Sequence, residues 1–321
     1  MNRRISLLTA ILYIAFVFSA CSIPRYNDDT KEDKLKIVTT IFPQYDFARQ
    51  IGKEKISLKM LVTPGGESHS YEPSPQDIIA VKECDIFICA GGESDIWSNV
   101  ILDSIEAENI KVIKMMECVD IVEEEISNGM TEKLPIANED ETEYDEHVWT
   151  SPKNAKKISE AIVKAMISAD KENEDFYRSN FDDYSKKLDK LDKDFRNAVS
   201  KAANKTVVFG DRFPFRYLFD EYGLNYYAAF PGCSTDSDVS AKTMMFLIRK
   251  INENEISSVF YIEFSARKIA DTISSETGAE PLLFHSCHTV SRDDFENGIT
   301  YIDLMCKNLE HLKRGLNIEA D

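Results

Sequence analysis

Residues 35–42 read LKIVTTIF, an apolar and β-branched run closed by Pro43. A short run of this kind, without polar alternation, fits a strand buried on both faces, as in a parallel sheet. The pattern returns at Ile56–Val62, at Asp85–Ala90 (DIFICA) and at Lys111–Met115, with helical stretches such as 75–83 and 97–107 between. Strands alternating with helices imply parallel βα units. Further along, Thr206–Gly210 (TVVFG), Leu224–Phe230, Ser257–Phe264 (SSVFYIEF) and Glu280–His285 form a second series. A last helix over about 299–315 lines up Tyr301, Leu304, Met305, Leu309 and Leu312.

Between the two series the period changes. Ser151-Pro152 is a helix start, with Ser as N-cap and Pro at the first helical position, and the helix runs to about Ala169. A second, from about Asp175 to Ala203, spaces Tyr184, Leu188, Leu191, Phe195 and Val199 by three or four. Its length of roughly 40 Å suits either a spine joining two lobes or a long surface helix on one. The expected fold is α/β: two lobes with parallel sheets (35–150 and 205–321) and linking helices at 151–204 between them.

The chain has 321 residues, 38 Lys+Arg, 56 Asp+Glu and a formal charge of −18. That balance argues against nucleic acid, whose binding needs a basic patch. Residues 1–20 read as a secretory signal: Arg3 and Arg4, the apolar run ISLLTAILYIAFVF, then Ser19-Ala20-Cys21. The apolar run is shorter than the ~20 residues of a membrane span. The small residues before Cys21 resemble a bacterial lipobox, which would make Cys21 a lipidated N-terminus; an ordinary cleaved signal with an incidental Cys is the alternative. Residues 21–34 are then a polar tether. The remaining cysteines form no CxxC pair, which removes zinc ribbons and thioredoxin-type sites, and Cys233 and Cys287 are one conceivable disulfide.

Of five histidines, four fall in loops beside strands or helix starts. His69 lies in VTPGGESHSYEPSP, His147 in DEHVWTSP, and His285 and His288 in the HSCH that ends the last expected strand. Ligands of open α/β sheets bind at the carboxyl ends of strands, so these imidazoles could meet in one cleft. Neutral imidazole is a preferred ligand of zinc and similar cations, and Asp145 and Glu146 are placed to orient the His147 ring. Each histidine also has an ordinary reading as a hydrogen-bonded or solvated loop residue; His311, in the last helix, reads as surface. No nucleophile elbow, Walker loop or HExxH is present.

The segments PGGESHSYEPSPQD and DEHVWTSPKNA resemble two signatures of the zinc/manganese solute-binding lipoproteins of bacterial ABC transporters (the cluster A-I type). The similarity spans about residues 35–315, including IVTTIFPQYDFARQI and GITYIDLMCKNLEHL. The resemblance implies two α/β lobes with parallel sheets joined by a long rigid spanning helix and metal held between them, with His69 and His147 as the first two ligands. At the usual third position it places Arg212, which has no lone pair to offer; the fourth falls within LLFHSCH, where His285 aligns, and His288, three residues on, could take the missing corner, so the expected site is His69 and His147 with His288 and/or His285. Asp211 is a lesser substitute, and Arg212 could pair with Glu263 or another acidic residue of the cleft. Three or four imidazoles favour zinc, whereas Mn2+ would prefer more carboxylate oxygen.

The expected function is capture of zinc outside the cytoplasmic membrane, and its delivery by a lipid-anchored monomer to an ABC permease with its ATPase subunit. Two rivals remain at this level. One is a secreted zinc hydrolase with Glu67 or Glu72 as base; the other is a metal-dependent adhesin or interaction lipoprotein. The acidic segment 121–146 is either a cation-collecting loop or a plain solvated one.

Overall fold

In a computed structural model, residues 34–105, 107–130, 143–232, 234 and 238–318 are described. The signal 1–20, Cys21, the tether up to residue 33, Cys233 and the middle of the acidic segment (131–142) lie outside the described residues.

Strand β1 (Leu35–Thr39) is flanked by β2 (Ile56–Met60) and β3 (Ile86–Cys89), and β4 (Lys111–Lys114) pairs outside β3, all in parallel. Burial follows position. The inner strand β3, IFIC, is buried at every residue, whereas the edge strand ISLKM exposes alternate ones and the edge strand KVIK buries only Ile113. The second lobe repeats the order with β5 (Thr206–Phe213), β6 (Asn225–Pro231), β7 (Ser258–Tyr261) and β8 (Glu280–Leu283), arranged β6-β5-β7-β8. Both sheets therefore reverse direction beside their first strand, and the crevice at such a switch point is where open sheets bind ligands.

Strand β5 runs three residues past its expected end at Gly210. Phe209 pairs with Ala228 and Arg212 with Phe230, so one extra residue bulges on β5. A bulge re-aims the residues beyond it, and here those are Asp211 and Arg212. The extension through Asp211, Arg212 and Phe213 rests on pairing with β6, a long-range effect.

Helix α1 (Phe42–Gly52) follows β1, and α2 (Pro75–Lys82) and α3 (Trp97–Ser104) complete the first lobe. Helix α4 (Pro152–Ala169) begins where the Ser-Pro signal places it, with Ser151 Oγ accepting from the Asn154 N–H, and ends at the expected residue. Helix α5 (Glu174–Lys201) is 28 residues long and buries Tyr177, Tyr184, Leu188, Leu191, Phe195 and Val199. It packs against α1 and α4, and also against the last helix, α6 (Tyr301–Gly315). It therefore touches both lobes, which is the spine reading.

From Leu35 onward the chain is one compact unit, and a single core cluster runs through both lobes, from Phe47 and Trp149 to Phe209 and Phe284. Buried polar contacts reinforce the junction. Asp46 Oδ2 accepts from the Tyr301 N–H at 2.7 Å, and the Tyr301 hydroxyl donates to the Trp149 carbonyl at 2.7 Å. The Trp149 indole donates to the Ser286 carbonyl at 2.9 Å. Among the described residues no helix is long and apolar enough to cross a membrane.

Candidate metal centre

One cavity of about 210 Å3 opens between the lobes, lined by His69, His147, Arg212, Glu263, His288 and Glu67 among others. His69 comes from the loop after β2, His147 from the segment entering α4, and His288 from the loop after β8. Three imidazoles from three loops and two lobes thus face one space. His285 does not line it. That ring is 8% exposed, its Nδ1 accepts from the Cys287 N–H at 2.9 Å, and its main chain is clasped by Asn308.

His147 is the most constrained. It is 4% exposed, and both its backbone N–H and its Nδ1 lie against Asp145 Oδ1, at 2.8 and 3.0 Å. With Nδ1 on the carboxylate, Nε2 is the nitrogen left for a cation, the carboxylate–histidine arrangement common at metal sites. Burial works against a charged ring here, but Asp145, Glu146 and Glu124 outweigh it and push its pKa up to about 9. A cation therefore has to displace a proton at His147.

The other two rings are held neutral. Burial, reinforced by His147 and His69, pushes His288 down to about 3, and its Nε2 shares a hydrogen bond with Ser68 Oγ at 2.8 Å. Burial also lowers His69, with His147 and Arg212 adding to the effect and Glu67 opposing it. His288 packs edge-on to His147, with ring centroids 6.5 Å apart, and lies against Trp149 at 5.7 Å. Among the described residues, no three His, Cys, Asp or Glu side chains already stand in a ligating arrangement. The rings line the space without yet converging on a point.

The carboxylates divide differently from expectation. Asp145 orients His147, but Glu146 reaches His69, with its Oε1 3.7 Å from Nε2. Glu263 is not paired with Arg212: it accepts from the Ser286 N–H at 2.7 Å and from the Ser286 hydroxyl, holding the HSCH loop. Arg212 donates through Nη1 to the Ser234 carbonyl at 3.3 Å. Asp211 ties the end of β5 to that of β7, accepting from the Arg212 and Ile262 N–H groups, and is not among the lining residues. Cys287 is a free, fully buried thiol.

Sequence reasoning missed Glu124. The ends of the acidic segment run side by side, with Glu124 N–H donating to the Glu143 carbonyl and Asp145 N–H to the Val122 carbonyl. That pairing half-buries Glu124 near His147, where its Oε1 accepts from the Gly232 N–H at 2.7 Å. Burial and Asp145 push its carboxyl up to about 7, against the pull of His147. Only the strand-like pairing of residues far apart in sequence singles Glu124 out of its acidic run.

Fold and cavity define a two-lobed α/β binding protein, its lobes tied by a spanning helix and its crevice at the carboxyl ends of both sheets. Residues 37–315 match the family described as ZnuA, zinc-uptake complex component A, periplasmic, and the chain belongs to that family. It is 30% identical to the high-affinity zinc uptake system protein ZnuA of Bacillus subtilis (strain 168), over 100% of both chains. It is also 30% identical to the zinc-binding lipoprotein AdcA of Streptococcus pneumoniae (strain ATCC BAA-255 / R6), covering 99% of this chain and 62% of that longer one. The Zn(II)-bound ZnuA-like domain of Streptococcus pneumoniae AdcA superposes with a TM-score of 0.72 at 28% identity, over 88% of this chain and 99% of that domain.

Proposed function

We propose that this chain is a receptor that captures zinc outside the cytoplasmic membrane and hands it to an ABC permease. His69, His147 and His288 hold the ion. The observation that carries this reading is the cavity between the lobes, which receives imidazoles from three loops while His285 is turned to other work. A family of zinc-uptake components and a zinc-bound structural relative support zinc as the cargo. The donor set agrees, since imidazole nitrogen suits zinc better than manganese.

Receptor action requires a folded protein before and after release. The continuous core through both lobes favours that over a structural zinc whose removal unfolds the chain. The chain is expected to work as a monomer, anchored through lipidated Cys21 and docking on a permease with its ATPase subunit. Zinc titration of the apo-protein against a chromophoric chelator tests the ligand set. His69→Ala, His147→Ala and His288→Ala should each weaken binding more than about 100-fold, beyond the usual loss of an outer-sphere partner, while His285→Ala should stay within that range. Unchanged affinity in a His69→Ala/His147→Ala double variant would overturn the assignment.

A further inference from the structure

We propose that Glu146 supplies a carboxylate oxygen to the bound cation, beside His69. The inference rests on the reading of His69 as a ligand and adds a partner to it.

The observation is an orphaned atom. Glu146 is 1% exposed, and its Oε2 accepts from the Ser94 N–H at 2.9 Å. Its Oε1 is buried without a hydrogen-bond partner among the described residues. A buried carboxylate oxygen left unmatched is costly, so native proteins rarely keep one without a use. This one lies 3.7 Å from His69 Nε2. That separation is too long for an N–H···O hydrogen bond of about 2.7–3.2 Å. It is shorter than the roughly 4.0–4.3 Å spanned end to end by one Zn–N and one Zn–O bond. A single cation can therefore touch both atoms.

The surroundings hold the carboxylate there. Gly92 has no side chain, and a Cβ at that position would fall 2.2 Å from Glu146 Oε2. The Ser94 N–H then pins that oxygen and leaves Oε1 toward His69. The charge balance points the same way. Three neutral imidazoles leave two positive charges on a buried ion; Arg212 at the same cavity adds a third, and the carboxylates of Glu67 and Glu263 line it too. An anionic ligand offsets part of that charge. With His69, His147 and His288 it also completes four ligands, the closed tetrahedral set of a holding site with no position kept for a catalytic water.

The test uses the full chain, with Glu146→Gln compared with wild type and His69→Ala. In the zinc-minus-apo infrared difference spectrum, wild type should show a carboxylate stretch shifted on zinc binding, and E146Q should lose it. Cobalt-loaded E146Q should show altered visible absorption, and its zinc affinity should fall more than about 100-fold, beyond the 10–100-fold loss of an outer-sphere partner. Circular dichroism of the apo variant checks that it folds. The proposal is overturned if wild type shows no shifted carboxylate band, a result that needs no variant. It is overturned equally if E146Q keeps both the wild-type cobalt spectrum and an affinity within tenfold while H69A loses binding, an outcome that leaves the histidine site standing. If H69A too binds normally, both readings fall.

Discussion

Zinc should drive a proton from His147, and the number of protons is calculable. Asp145 accepts from the His147 Nδ1 at 3.0 Å and, with Glu146 and Glu124, moves the ring from 6.5 to about 9 despite its burial. At pH 7.5 the ring is then nearly all protonated, whereas a ring at its ordinary value would be roughly 10% protonated. His69 and His288 are shifted downward and have no proton to lose. Zinc binding at pH 7.5 should therefore release close to one proton, with a further fraction from Glu124, which sits at about 7. Apparent affinity should rise nearly tenfold per pH unit between about 7 and 9, since binding competes with that proton. Asp145→Asn keeps an oxygen to accept from Nδ1 but removes the charge, so release should fall well below one and the pH slope should flatten. Calorimetry in buffers of different ionisation enthalpy counts the protons directly. Release below about 0.3 proton in wild type, or an unchanged count in Asp145→Asn, would refute this view of His147.

Other outcomes follow from neighbouring contacts. His288 is held neutral when folded but takes a proton below about 6.5 when unfolded, so apo stability should fall as pH drops from 6.5 toward 3, by up to ~1.4 kcal/mol per unit; thermal melts should show this slope, reduced in His288→Gln. The opposite sign holds for His147, whose contribution is full below 6.5 and is lost as pH rises through about 9. Trp149→Phe leaves the Ser286 carbonyl without its indole donor and should cost about 1–3 kcal/mol in urea denaturation. Asp46→Ala takes the carboxylate from Arg49, which keeps the Ile299 carbonyl as an acceptor, and leaves the Tyr301 N–H without its acceptor; a loss of about 1–3 kcal/mol is expected. Gly232→Ala places a Cβ 3.3 Å from His147 Cε1 and 3.0 Å from the Phe213 carbonyl, so it should weaken zinc binding in the chelator titration.

The fold was legible where local signals are strong. Ser151-Pro152 set the start of its helix, and the apolar spacing of residues 184–199 set the spanning helix to within two residues of its observed ends. Strand limits were less legible, because they depend on partners: β5 extends through GDRF by pairing with β6 around a bulge. The site divides in the same way. That His69, His147 and His288 sit in loops is a local fact, and chain topology brings those loops together. Which of His285 and His288 faces the cavity depends on the Cys287 N–H and Asn308 holding the former away. The exchange of partners between Asp145 and Glu146 is set by the Ser94 N–H, 52 residues away, and adjacent carboxylates in a sequence carry no sign of it.

A crystal structure of the zinc-loaded protein tests the central claim most directly. It should show one ion between the lobes, with nitrogens of His69, His147 and His288 about 2.0–2.1 Å from it and His285 still bound to the Cys287 N–H. Zinc held elsewhere, or held by His285 with His288 still on Ser68, would contradict it.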